Sequence, residues 1–155
     1  MVKFTDTEVV FSEVPDKVTL AINISNCPNR CPGCHSPYLR EDIGEELTEA
    51  VIDKLIQKND GINCVGFMGE GNDKPRLIEL ALYTRKNYPN LETCIYSGKE
   101  EESDDVYAVF DYVKTGPYII SCGPLNVETT NQRMYHVGKD GSREDITYKF
   151  WKKLQ

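Results

Sequence analysis

The stretch KVTLAINISNCPNRCPGCH, residues 17–35, decides the fold, because it runs a strand directly into a loop. Residues 17–25 are β-branched and apolar enough for a strand. Cys27, Cys31 and Cys34 follow, and Pro28, Pro32 and Gly33 among them leave little room for ordinary secondary structure. The first cysteine therefore sits just past a strand's end. Three thiols in one loop pose a question of number, since disulfides take cysteines in pairs and a closed tetrahedral zinc site takes four ligands.

Outward from this strand, helical and strand patterns alternate. LTEAVIDKLIQKN, residues 47–59, places Leu47, Val51, Ile52, Leu55 and Ile56 on one helical face, with Thr48 as N-cap. INCVGFM, residues 62–68, reads as a buried strand. A second helix is predicted from about Pro75 to Asn87, with Asp73 ahead of the proline and Leu77, Ile78, Ala81 and Leu82 facing inward. LETCIYS, residues 91–97, is a strand again, a short helix covers 104–110, and DYVKTG, residues 111–116, is a fourth strand. MYHVG and DITYKFW flank Lys139-Asp140-Gly141 as a terminal hairpin.

Such alternation predicts right-handed crossovers and an α/β fold with mostly parallel strands. The chain is too short for eight βα units, so a partial, open barrel or an open sheet is expected, as a single domain over residues 1–155. The loops after the strands then share the carboxyl rim, where parallel α/β folds place their chemistry. In order they carry Cys27 to Cys34, Met68-Gly69-Glu70-Gly71, Ser97-Gly98-Lys99 and Thr115-Gly116-Pro117-Tyr118.

Composition narrows the function classes. Among 155 residues, 25 acidic side chains outnumber 18 basic ones, and Lys and Arg form no run, which argues against a nucleic-acid partner. The start, MVKFTDTEVVFSEV, lacks a signal-peptide pattern, and no apolar stretch is long enough to span a bilayer. A cytoplasmic protein without a membrane partner is expected. In that reducing compartment six cysteines read as metal ligands or buried apolar residues before they read as disulfides.

Three thiolates can hold three irons of a 4Fe-4S cluster, leaving the fourth iron open. An open iron is a Lewis-acidic position for a ligand with amine and carboxylate donors, such as the methionine half of S-adenosylmethionine. Zinc is the competing reading, with a fourth ligand from Cys64, Cys94, Cys122 or His136, and a structural accident is the third. Cys64, Cys94 and Cys122 lie in or beside apolar strands and read as core packing. His35 directly follows Cys34 and reads as a loop histidine.

The Cys-x3-Cys-x2-Cys spacing at Cys27, Cys31 and Cys34 resembles the hallmark of the radical S-adenosylmethionine superfamily. Within it, the chain is similar to activating proteins of anaerobic ribonucleoside-triphosphate reductase. That likeness rests on Cys-Pro-Gly-Cys at 31–34, on DYVKTGPYII at 111–120 and on Thr130-Asn131-Gln132-Arg133. It covers about residues 15–137.

The resemblance implies a partial, open (β/α) barrel of the radical SAM type, with Cys27, Cys31 and Cys34 on a 4Fe-4S cluster. It also implies a Gly-Gly-Glu motif that contacts the methionine amino group. Here that motif reads Met68-Gly69-Glu70, so only Gly69 and Glu70 carry over, and Lys99 stands where relatives often have an aromatic residue. A flavodoxin-type donor would reduce the cluster, S-adenosylmethionine would be cleaved, and a glycine of the partner reductase would lose hydrogen to become a glycyl radical. Three alternatives stay open: an activase for another glycyl radical enzyme such as a formate lyase, a family member that binds a cluster without cleaving, and a non-catalytic zinc-binding module. Each remaining feature also has a plain reading. Glu70 could be a solvated loop acid, Asn131 to Arg133 polar turn residues, and Tyr96, Tyr118 and Tyr135 half-buried strand positions.

Overall fold

Strand β2, Thr19–Ile24, is buried at five of its six positions, which requires cover on both faces of the sheet. The computed structural model containing it describes residues 1–25 and 43–151. Cys27, Cys31, Cys34 and His35 lie outside the described residues. Around β2 are β1 (Lys3–Val10), β3 (Glu45–Glu46), β4 (Cys64–Met68), β5 (Glu92–Tyr96), β6 (Tyr112–Thr115), β7 (Arg133–Val137) and β8 (Arg143–Asp145). They form one sheet in the order β3-β1-β2-β4-β5-β6-β7-β8. Helices α1 (Glu49–Lys58), α2 (Lys74–Asn87) and α3 (Asp104–Val109) fill the connections between the central strands.

The fold is mixed α/β, and the expectation of mostly parallel strands needs correction. Pairings β2/β4, β4/β5 and β5/β6 are parallel, whereas β1/β2, β1/β3, β6/β7 and β7/β8 are antiparallel. The parallel core is the expected part, because each of its connections contains a helix. The flanks differ for two reasons. β1 pairs directly with β2 as an antiparallel neighbour, and its sequence KFTDTEVV buries only Phe4, so it lacks the apolar density of a central strand. Beyond β6, residues 116–132 contain no helix and bring the chain back antiparallel as β7.

Local signals explain the helix ends. Thr48 Oγ1 accepts from Val51 N at 3.3 Å, and Asp73 Oδ1 accepts from Arg76 N at 3.3 Å with Pro75 in the first turn. On α2, Leu77 and Ala81 are buried and Ile78 packs against the core as expected, Leu80 and Thr84 are buried with them, and Leu82 is 49% exposed. The four buried positions, spaced by three, one and three residues, make a truer helical stripe than the Leu77, Ile78, Ala81, Leu82 set. The terminal hairpin is present, but its second strand stops at Asp145. That carboxylate accepts from Thr147 N at 3.0 Å and Thr147 Oγ1 at 2.6 Å, which turns Thr147–Phe150 into a 3-10 turn instead of more strand.

The core centres on Leu20, Ile22, Val65, Phe67, Leu77, Leu80, Ile95 and Val113, with Phe67 and Phe110 edge to face at 5.9 Å. Among the described residues no helix is long and apolar enough to cross a membrane.

At the carboxyl end of β2 the chain is tied down twice. Ser25 N donates to Lys3 O at 3.0 Å, and Ser25 Oγ donates to Ile43 O at 2.5 Å, so the two ends of the cysteine-bearing segment meet at one buried hydroxyl. Replacing Ser25 by Ala removes this hydrogen bond from the half-exposed Ile43 carbonyl, and a loss of about 0.5–1.5 kcal/mol is expected in urea unfolding. An unchanged midpoint would show that the clasp adds nothing.

Candidate functional site

Parallel pairing puts the ends of β2, β4, β5 and β6 on one rim. Asn23 pairs with Met68, Met68 with Tyr96, and Tyr96 with Lys114. Immediately beyond these positions lie Ser25, Gly69, Glu70, Ser97, Lys99 and Gly116.

Backbone geometry explains the glycines after β4. Gly69 has φ +123°, and a Cβ there would stand 3.3 Å from Ile24 O. Gly71 has φ +66°, and its Cβ would meet Ile24 Cγ2 at 3.1 Å and Ser25 O at 3.5 Å. The β4 loop thus lies flat against the end of β2, where any side chain would hold the two apart. Met68 folds back over Gly66, where a Cβ would come within 2.6 Å of Met68 Cε.

Glu70 is buried, its side chain 4% exposed, so the solvated-loop reading fails. Its Oε1 accepts from Ser97 Oγ at 2.9 Å and its Oε2 is 3.2 Å from Lys99 Nζ. The same hydroxyl lies 2.9 Å from Oε1 of Glu102, whose side chain is fully enclosed. Lys74 Nζ stands 3.1 Å from the other Glu102 oxygen, and Lys99 Nζ is 3.9 Å from Glu102 Oε1. Two carboxyls and two ammonium groups are gathered around one serine.

Counting protons at that serine is informative. Ser97 Oγ also accepts from Lys99 N at 3.1 Å. A hydroxyl carries one hydrogen, so it donates to one of the two carboxyls. The second carboxyl at 2.9 Å makes a hydrogen bond only when it carries a proton of its own. Burial in the first place, and the neighbouring Glu102 carboxylate in the second, raise the Glu70 pKa above its ordinary value. For Lys99, burial works against the charge, yet Glu70 and Glu102 together hold the ammonium above its usual pKa.

Lys114 braces the rim from inside. Its Nζ donates to Ser97 O at 3.2 Å and Gly116 O at 2.9 Å, and it lies 5.7 Å from the centre of the Tyr96 ring. Gln132 Nε2 donates to Gly116 O at 3.3 Å and Asn131 Nδ2 to Pro117 O at 2.9 Å. The Asn131-Gln132 pair therefore clamps the loop after β6, whereas Arg133 begins β7 and faces Asp145 at 3.6 Å. Tyr96 donates through its hydroxyl to Glu13 O, and Tyr135 packs edge to face on Tyr107.

The remaining cysteines divide less evenly than expected. Cys64 and Cys94 are fully buried, and burial pushes the Cys64 thiol up to about 12 and the Cys94 thiol well above its usual value. Cys64 opens β4, at the opposite end of the strand from the rim, and His136 stacks on Tyr112 at the start of β6. Cys122 departs from the core-packing expectation: it lies in the loop after β6, partly exposed. Among the described residues no group of three or more His, Cys, Asp or Glu is placed to hold a metal ion.

Ser97, Glu102 and Lys74 had no assigned role in the sequence. Glu102 ends an acidic run, Glu100-Glu101-Glu102, which reads as solvent-facing, and its only local signal is the spacing of three from Lys99. Ser97→Ala removes the shared hydrogen-bond donor and leaves two buried carboxyls facing each other. A loss of about 1–3 kcal/mol is expected in chemical denaturation at neutral pH.

The pH dependence follows from Glu70. Its raised pKa means that the folded chain binds a proton more tightly than the unfolded chain does. This contribution is full below the ordinary carboxyl pKa and is lost as pH rises through the higher folded value. Glu70→Gln is expected to flatten the decline, read as unfolding midpoint against pH from acid to neutral.

No family model, no curated protein and no solved structure matches the chain.

Proposed function

We propose that the chain is an iron-sulfur radical SAM enzyme that reductively cleaves S-adenosylmethionine to place a glycyl radical on anaerobic ribonucleoside-triphosphate reductase. The observation that carries this reading is the spacing of Cys27, Cys31 and Cys34 in the sequence that follows β2, taken with Gly69 and Glu70 in the loop after β4. Four central parallel strands with helices between them support the finer expectation of a partial, open barrel of the radical SAM type.

The residues present fit the groups this reading requires. Three thiolates from one short loop suit three irons of a 4Fe-4S cluster, leaving one iron without a protein ligand. Glu70 already holds an ammonium, that of Lys99, and so has the chemistry to receive the amino group of S-adenosylmethionine. The cluster, when bound, supplies the single electron for reductive cleavage and thereby the hydrogen abstraction from a partner glycine. The chain's own residues do the rest. Gly69 and Gly71 keep the β4 loop against β2, Ser97 fixes one oxygen of Glu70, and Lys114 with Gln132 holds the next loop still.

The test is anaerobic reconstitution with iron and sulfide, followed by reduction in the presence of S-adenosylmethionine and the reductase. Expected are a brown protein that dithionite bleaches, 5′-deoxyadenosine, and a glycyl radical signal by electron paramagnetic resonance. A colourless protein retaining one zinc would overturn the reading. A signal with a formate lyase and none with the reductase would move the assignment to that partner. Ala at any one of Cys27, Cys31 or Cys34 is expected to abolish cleavage, while Cys122→Ala is expected to leave iron content unchanged.

A further inference from the structure

We propose that Lys99 is a built-in competitor for the cation position on Glu70: an incoming ligand ammonium has to displace the Lys99 ammonium, which then moves onto Glu102. This rests on the reading above, in which Glu70 receives the amino group of an amino-acid-type ligand.

The geometry separates the two oxygens of Glu70. Oε1 is taken by the Ser97 hydroxyl at 2.9 Å, so Oε2 is the oxygen left for a cation, and Lys99 Nζ occupies it at 3.2 Å. A ligand ammonium and Lys99 therefore seek the same atom. Mobility is unequal across the pair. The Glu70 side chain is 4% exposed and fixed by Ser97, whereas that of Lys99 is 44% exposed and sits at the end of a flexible four-carbon stem. The lysine is the member that can leave.

A place to go is already built. Glu102 Oε1 lies 3.9 Å from Lys99 Nζ, slightly beyond its present partner, and Lys74 occupies the opposite oxygen at 3.1 Å. A small swing of the stem exchanges one carboxylate for the other without exposing either. Lys99 N donating to Ser97 Oγ fixes the backbone at the root of that stem, so the motion is confined to the side chain. Glu102 is thus a positioning residue for the exchange, and Lys99 sets how strongly the site holds an amino-acid-type ligand.

Equilibrium dialysis of the reconstituted full chain against labelled S-adenosylmethionine tests this with Lys99→Met, Lys99→Arg, Glu70→Gln and the double variant Lys99→Met/Glu70→Gln, each checked for native circular dichroism. Lys99→Met is expected to bind about five- to tenfold more tightly than the parent, the size of an ion pair with one exposed member. Lys99→Arg keeps the competing charge and is expected to stay near the parent. In the Glu70→Gln background, Lys99→Met is expected to add nothing. Unchanged or weaker binding by Lys99→Met, a gain that persists without Glu70, or binding by none of the proteins would overturn the proposal.

Iron content and 5′-deoxyadenosine, measured on the same preparations, report on the radical reading separately. Tighter binding by Lys99→Met without iron or cleavage supports the competitor while removing the enzyme. Intact cleavage with no gain in affinity removes the competitor alone.

Discussion

Parallel pairing in one register is the constraint on which the rest of the molecule depends. Thr19 faces Cys64 and Cys64 faces Glu92, so three neighbouring strands begin on one line and end on another. Strands paired this way need helical crossovers, and crossovers cover both faces of the sheet. The consequence is visible in β2, β4 and β6, which are buried almost throughout. Every loop that leaves the carboxyl ends is then delivered to the same edge, whatever it carries. A slip of one residue between β4 and β5 would turn the side chains of one strand to the opposite face and carry Glu70 away from Ser97.

At that edge the molecule accepts an unfavourable arrangement. Burying two carboxyls beside each other is costly, and it persists only when every oxygen finds a donor or a cation. Ser97, Lys99 and Lys74 provide those partners, and Lys114 fixes the carbonyl of Ser97 from behind. Local departures of this kind from what would stabilise the fold are characteristic of sites that bind or react. A chain selected for stability alone would fill the same space with apolar side chains.

Much of this arrangement was legible in the sequence, and the missing part has physical reasons. The central strands were readable because β-branched and apolar residues crowd them, and the helices because Thr48 and Asp73 are strong caps. β1 was not, since its polar residues, such as Thr5, Asp6 and Glu8, disguise an outer strand. On α2 Leu77, Ile78 and Ala81 pack inward as read, and Leu82 was misjudged because it is apolar yet exposed, and an apolar residue at the surface is ordinary. Gly69 and Glu70 were singled out by the resemblance, and the backbone at Gly69, with φ +123° and Ile24 O close by, shows why a glycine is needed there. Glu102 was out of reach, because nothing in a run of three glutamates says which one turns inward. That depends on Ser97 and Lys74, which lie five and twenty-eight residues away in the chain.

The division of the thiols follows from the same sheet. Cys64 and Cys94 lie on the neighbouring strands β4 and β5, packed with Tyr112, Met134 and Ile146. A buried thiol in apolar surroundings resists ionisation, and the thiolate is the form that binds metal. Burial therefore withdraws these two residues from the chemistry open to cysteines 27, 31 and 34, which follow the rim end of β2. Zinc would need a fourth ligand from the chain, and two of the residues considered for that role are held neutral inside the sheet. His136, a third, stacks on Tyr112 at the opposite end of β6 from Thr115. The sheet thus withdraws Cys64, Cys94 and His136 from that role, and Cys122, partly exposed in the loop after β6, is the one fourth-ligand candidate it leaves accessible.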